Sequence, residues 1–135
     1  MELANKIVII LREDLLTWQK LNVTAFLMSG ISSTQNITGE PYADGDGITY
    51  LPMARQPVMI YAAEREQLKT TLKKALRKEV AMTIFTEEIF YTYNDEDNRA
   101  NVAEYKTDDL NLAGIGIIGK KNHVDRLTKG LSLHA

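Results

Sequence analysis

The chain contains no cysteine, which excludes disulfides, a thiol nucleophile and cysteine-ligated zinc, and fits a reducing compartment. Histidine is nearly as scarce. His123 and His134 are the only two, neither has a spaced carboxylate or histidine partner, and no metal or cofactor is assigned. Positive charge is not in excess: sixteen basic residues against eighteen acidic ones leave a net charge of −2. There is thus no general field to attract nucleic acid, and a nucleic-acid partner is not expected. Long apolar runs are missing too, the longest being too short to cross a bilayer. The opening MELANK, acidic and basic by turns, leads directly into a strand-like run rather than a signal peptide. A cytoplasmic protein without a membrane partner is the expectation, and the triplets Asn22-Val23-Thr24 and Asn36-Ile37-Thr38 then carry no glycan.

The residues that are present suit one domain. The 135 residues are 44% hydrophobic and 25% charged, enough to bury a real core, so residues 1–135 are read as a single unit. KIVIIL (6–11) is β-branched without alternation, as in a strand covered on both faces. Asp14 is placed to cap a helix whose apolar stripe is Leu15, Trp18, Val23, Phe26, Leu27 and Ile31, with Gly30 or Ser32-Ser33 at its end. Residues 32–50 turn polar and loop-like, and YADGDGITYLP suggests a tight reversal. QPVMIY (56–61) and VAMTIF (80–85) read as strands around an amphipathic helix, 64–78, that buries Leu68, Leu72, Ala75 and Leu76. Thr86 can cap the segment after the second of these strands, and Asn94 to Tyr105 is a short peripheral helix or a mobile segment. Leu112 to Ile118 is the last strand and Asn122 to Lys129 the last helix. Alternating β and α with two-sided apolar strands predict a three-layer α/β/α domain on a mixed, mainly parallel sheet of about four strands.

Several patterns invite a chemical reading. Gly114, Gly116 and Gly119 spell G-x-G-x-x-G, but a dinucleotide fingerprint needs a second strand and an acidic residue about twenty positions on, and the sequence given stops first. Gly114 and Gly116 share one strand face and more plainly let a helix approach the sheet, with Gly119 at the strand-to-helix turn. Asp44-Gly45-Asp46-Gly47 starts like a calcium loop but lacks the other ligands and reads as a hairpin turn. Lys120, Lys121 and Arg126 form a basic cluster at the last helix, either a solvated face or an anion site using the helix amides. Arg12 and Asp14 fall at the end of the first strand, the edge where open α/β sheets gather ligands; the alternative is a helix cap with a salt bridge.

Taken in order, KIVIILREDLLTWQKLNVTAFLMSGI and IGIIGKKNHVDRLTKGLSL resemble the opening and closing segments of type-two peptidyl-tRNA hydrolases, and the middle of the chain matches in layout. The combination of NVTAFLMSGI, GEPYADGDGITYLPMARQPV, EDNRANVA and KGLSLH resembles, more closely, an uncharacterised conserved family, domain of unknown function number two thousand. The resemblance implies a hydrolase-like fold with a mixed sheet covered on both faces, and a homodimer. It does not carry the catalytic set across. Asn22 stands where the hydrolases have lysine, Phe26 where they have glutamine and Ser29 near their histidine, while Thr86 and Phe90 occupy their aspartate and threonine positions. Losing these groups together removes most of the apparatus for activating water and stabilising an oxyanion.

The expected function is therefore binding or transforming a small polar ligand at the strand C-terminal ends, with Arg12, Asp14, Asn22, Thr24, Thr86 and Glu87 as candidate ligand-binding residues and no catalytic residue assigned. Two alternatives stay open. One is a divergent peptidyl-tRNA hydrolase or related ester or amide hydrolase; the other is a non-catalytic dimeric interaction module using the acidic segment Asp95 to Asp97.

Overall fold

A computed structural model describes residues 5–135; residues 1–4, the start of the MELANK segment read for targeting, lie outside the described residues. The elements run β1 (Asn5–Arg12), α1 (Thr17–Thr34), β2 (Tyr42–Ala43), β3 (Thr49–Tyr50), β4 (Val58–Ala63), α2 (Arg65–Ala75), β5 (Val80–Thr86), α3 (Asp95–Ala103), β6 (Leu112–Lys120), α4 (Lys121–Thr128) and β7 (Ser132–Leu133). Short 3-10 turns occupy Glu87–Tyr91 and Thr107–Asp109. No described helix is long and apolar enough to cross a membrane.

The main sheet has five strands in the order β5-β6-β1-β4-β7, and β2 pairs only with β3. It is mixed, but the expectation of a mainly parallel sheet of about four strands is corrected. Only β1 with β4 is parallel; β1 with β6, β5 with β6 and β4 with β7 are antiparallel. An unbroken apolar run reports that both faces of a strand are covered, and here helices on both sides cover them whatever the pairing. The directions still matter. β1, β4 and β5 run the same way, so their C-terminal ends emerge at one edge of the sheet.

Alternation along the central strands sorts the core into two layers. Val8, Ile10, Ile115 and Ile117 pack with Leu68, Leu72 and Ala75 of α2 and Val124 and Leu127 of α4. Ile9 and Leu11 on the other side pack with Val23 and Leu27 of α1 and Phe85, and Ile7 and Ile118 pack with Ile31 and Ile37. Three expected core residues are outside it. Trp18 is 56% and Phe26 54% exposed, because α1 buries only the narrow stripe Val23, Leu27 and Ile31. Leu76 is exposed because α2 ends one residue before it.

Other details differ from the expectations as well. Asp14 does not cap α1; Leu16 holds that position, and its amide donates to Gln19 Oε1 at 2.9 Å. Gly30 does not end α1, which continues to Thr34. Thr86 precedes the 3-10 turn without a side-chain capping bond. Asn94 does cap α3, its Oδ1 accepting from the Asp97 amide at 2.8 Å. Gly119 stays within β6, opposite Lys6 and Val80, so the chain passes from strand to helix at Lys120-Lys121 with no loop to cradle a phosphate.

The glycines govern how close α1 comes. A Cβ on Gly116 would lie 2.5 Å from Thr83 Oγ1 and 3.1 Å from Ile31 Cδ1, and one on Gly114 would lie 2.7 Å from Val23 Cγ1. From the helix side, a Cβ on Gly30 would lie 2.6 Å from Thr83 Cγ2. In return, Thr83 donates its hydroxyl to the Leu27 carbonyl at 3.0 Å. Gly30→Ala is therefore expected to destabilise the protein by about 1–2 kcal/mol, overpacking outweighing the gain in helix propensity. Thr83→Ser removes the clashing methyl and keeps the hydroxyl, so it should recover most of that loss in a urea-unfolding double-mutant cycle. Strictly additive losses would refute the contact.

Candidate functional site

Two polar or aromatic assemblies form where β1 and β5 end. The first is a network around Arg12, whose residue is only 3% exposed. Its Nε donates to Asp14 Oδ1 at 2.6 Å, Nη2 to Glu87 Oε1 at 3.0 Å, and Nη1 to the Leu112 carbonyl at 3.2 Å and to Asn111 Oδ1 at 3.3 Å. Asn111 Nδ2 donates to Glu87 Oε2 at 2.7 Å, and Arg65 donates to Asn111 Oδ1. The Glu87 amide in turn donates to the Asn111 carbonyl at 2.9 Å. One buried guanidinium thus ties the end of β1 to the end of β5 across the start of β6.

The charges respond accordingly. Burial works against the Arg12 charge, but the hydrogen bonds to Asp14 and Glu87 outweigh it and hold its pKa above the ordinary arginine value. The Asn111 amide and then Arg12 hold the Glu87 carboxyl below the usual carboxylate range, and Arg12 does the same to Asp14.

The second assembly is a groove between α1 and the segment 87–103. One part, of about 510 Å³, is lined by Trp18, Asn22, Phe26, Phe85, Phe90 and Asn98 among others. A second part, of about 470 Å³, shares Phe26, Phe85, Ile89, Asp95 and Asn98 and extends along Ser29, Gly30, Thr83 and Val102. The aromatic rings are in mutual contact: Trp18 meets Phe90 edge-on at 5.6 Å between centroids, Phe90 lies 4.9 Å from Phe85, and Phe85 lies 5.8 Å from Phe26. Such tilted and edge-on arrangements are the favoured ones for aromatic pairs, and they make a continuous apolar wall. Several polar groups at its rim are committed already. Asp95 pairs with Arg99, Thr92 donates to Asn98 Oδ1, and the Ser29 hydroxyl donates to the Phe26 carbonyl at 2.6 Å. Ser29 is therefore not an activated nucleophile, and the one acid lining that part of the groove, Asp95, is paired with Arg99.

The six candidate ligand residues do not share one pocket. Arg12, Asp14 and Glu87 meet in the network; Asn22 lines the groove, and none of the other five does. Thr24 donates to the Lys20 carbonyl at 2.8 Å within α1, and Thr86 is 2% exposed with its hydroxyl oxygen buried and lacking a partner. Lys120, Lys121 and Arg126 lie at the opposite edge, where β1 begins and β6 ends. Asp125 stands among them, accepting from Lys121 Nζ at 2.8 Å and Lys6 Nζ at 2.7 Å. Among the described residues no group of three His, Asp or Glu side chains is arranged for a metal ion.

The groove aromatics are conspicuous in the sequence, yet their pattern reads as core. Trp18, Asn22 and Phe26 have an i, i+4, i+8 spacing, one residue ahead of the buried Val23, Leu27 and Ile31. Two such adjoining stripes are wider than one helix face can bury. Of the five positions singled out by the hydrolase resemblance, Asn22, Phe26, Ser29 and Phe90 line the groove and Thr86 does not.

This mixed α/β architecture is shared. The chain matches the family described as protein of unknown function (DUF2000) over residues 5–135, and it belongs to that family. Among solved structures it is similar to a protein of unknown function from Agrobacterium tumefaciens strain C58, with 40% sequence identity and a TM-score of 0.95, over 99% of this chain and 100% of that one. No curated protein matches it.

The Arg12 network sets an acid limb. Because the folded-state pKa values of Asp14 and Glu87 are depressed, their stabilisation is present above the unfolded values, about 3.9 and 4.3, and is lost as pH falls through the lower folded values. Glu87→Gln should flatten that limb. It should also cost about 1–2 kcal/mol at neutral pH, since it weakens the pairing of a buried cation whose partner is itself partly solvated. Urea midpoints measured between pH 3 and 7 check both, and an unchanged acid limb would show that Glu87 is not a principal partner of Arg12.

Proposed function

We propose that this protein binds a small, flat, polar-edged molecule in the groove between α1 and residues 87–103, beside the C-terminal end of β5. The observation that carries the reading is the contiguous wall of Trp18, Phe90, Phe85 and Phe26 with the Asn22 amide set into it. Aromatic walls bind planar rings by stacking and edge contacts, and an amide supplies one donor and one acceptor face to orient a polar edge. A groove of this size suits a ligand as large as a nucleoside. Arg12, Asp14, Thr86 and Glu87 act behind the site on this reading, holding the strand ends in place, and Thr24 stabilises α1.

Independently of what the groove binds, we infer a cytoplasmic homodimer with a fold of the type-two peptidyl-tRNA hydrolase kind. The absence of cysteine supports the compartment, and the meeting of Asn22, Phe26 and Phe90 in one groove supports the fold. The divergent-hydrolase alternative draws on that same coincidence of positions. Turnover of N-blocked aminoacyl-tRNA above background would establish it, and none is expected, because phenylalanines cannot activate water.

The binding reading is tested by thermal unfolding against a panel of nucleobases, nucleosides and aromatic amino acids, since a molecule that binds only the native state raises its stability. At least one class should raise the melting temperature by several degrees at millimolar concentration. Asn22→Ala should reduce that shift by more than half, with the ligand-free melting temperature little changed. A panel that leaves the melting temperature unmoved, or a shift insensitive to Asn22→Ala, would overturn the assignment.

A further inference from the structure

We infer that residues 38–54 form an arm that docks on the outer face of α1 in a second copy of this chain, giving a two-fold dimer with exchanged arms. This rests on the homodimer inferred above and specifies its surface, but it does not rest on the ligand reading. The arm is a closed local structure: Thr38 bridges Ala54, and β2 pairs with β3 through Tyr42–Tyr50 and Ala43–Thr49. Its tip is fixed by Asp44, whose carboxylate accepts from the amides of Asp46 and Ile48 and from the Tyr50 hydroxyl. Beyond its root it touches little of its own body. Tyr42, Ile48, Tyr50, Leu51 and Met53 are all exposed, Leu51 by 86%. A two-stranded ribbon is at best marginal in water by itself, and five exposed large apolar side chains on one call for a cover.

The second bare surface is α1. Only one of its eighteen residues, Lys20, is charged, whereas Arg65, Glu66, Lys69, Lys73 and Lys74 are charged among the eleven of α2. A helix lacking a charged outer face is one that is covered, yet Leu21 is 68% exposed and Leu16, Trp18 and Phe26 are exposed beside it. Nine of the fourteen exposed large apolar side chains among the described residues belong to these two surfaces, Trp18 and Phe26 being shared with the wall of the groove.

Three observations select a second copy as the occupant. The arm leaves the body where Ile37 packs with Ile31 at the end of α1, on the same side of the sheet. A two-fold axis on that side can therefore cover both surfaces of both chains through one kind of contact. The lengths agree: eight residues from root to tip reach up to about 26 Å, and eighteen helical residues extend about 27 Å. The charges choose the pairing. The arm carries Glu40, Asp44 and Asp46 and no lysine or arginine, so arm against arm is repulsive, whereas α1 contains no acidic residue to repel it.

Sedimentation of the ligand-free full chain tests this. The wild type should sediment as a dimer at micromolar concentration, at twice the chain mass of 15.2 kDa. Leu21→Glu and Leu51→Glu should each halve the observed mass with the far-ultraviolet circular dichroism unchanged, because both side chains are exposed. Combining Leu21→Glu with Leu51→Lys should restore the dimer, which a mere loss of folding would not allow. A monomeric wild type, a dimer that survives both single substitutions, or a failed rescue overturns the proposal. Neither Leu21 nor Leu51 lines the groove, so such a failure leaves the ligand assignment standing or falling by its own test.

Discussion

The close contact between α1 and the β5–β6 pair is the constraint from which most of this structure derives. Side chains are removed from both surfaces at that seam, at Gly30 on the helix and at Gly114 and Gly116 on β6; Thr83 fills the space at Gly30 and Gly116, and Val23 and Leu27 fill it at Gly114. Interiors packed at crystal-like density tolerate no slack there. Drawn this close, α1 buries Val23, Leu27 and Ile31 and leaves the neighbouring stripe of Trp18, Asn22 and Phe26 level with Phe85 and Phe90. The groove is thus a by-product of how tightly one helix is seated.

The Arg12 network complements the seam at the edge of the sheet. β6 runs against both of its neighbours, so the ends of β1 and β5 are separated by the start of β6 and need a side chain to join them. A buried guanidinium does so because its fixed fork of donors can face two carboxylates, an amide and a carbonyl at once. The segment that begins at Glu87 is thereby fixed at its origin, and Phe90 with it. That arrangement gives the strand-end charges a positioning role behind the groove.

The order of elements is legible in the sequence because apolar periodicity and caps are local signals, as at Leu68 and Leu72 in α2 or Asn94 before α3. The role of Gly114 and Gly116 as a place for a helix to approach is legible for the same reason, through the two-residue strand period. Strand direction is not. Ile115 and Ile117 look the same in a parallel or an antiparallel neighbour, since burial on two faces depends on the helices above and below. β7 escapes notice because Ser132–Leu133 has no periodicity to show. At the site, Arg12, Asp14 and Glu87 are marked by their place at strand ends, whereas Asn111, the shared partner of Arg12 and Glu87, gives no signal without the fold. Trp18 and Phe26 read as inward-facing, because whether a second apolar stripe is buried or left as the wall of a groove depends on the seating of the helix.

If a ligand lies in this aromatic groove, the chain carries its own reporter: Trp18, the only tryptophan, is in the wall. Titrating its emission with nucleobases, nucleosides and aromatic amino acids, in the wild type and in Phe90→Ala, measures the groove directly. Saturable quenching or a spectral shift is expected with at least one class, weakened tenfold or more in the variant. Emission that responds to none of them, or equally in both proteins, would show that the groove is not a binding site.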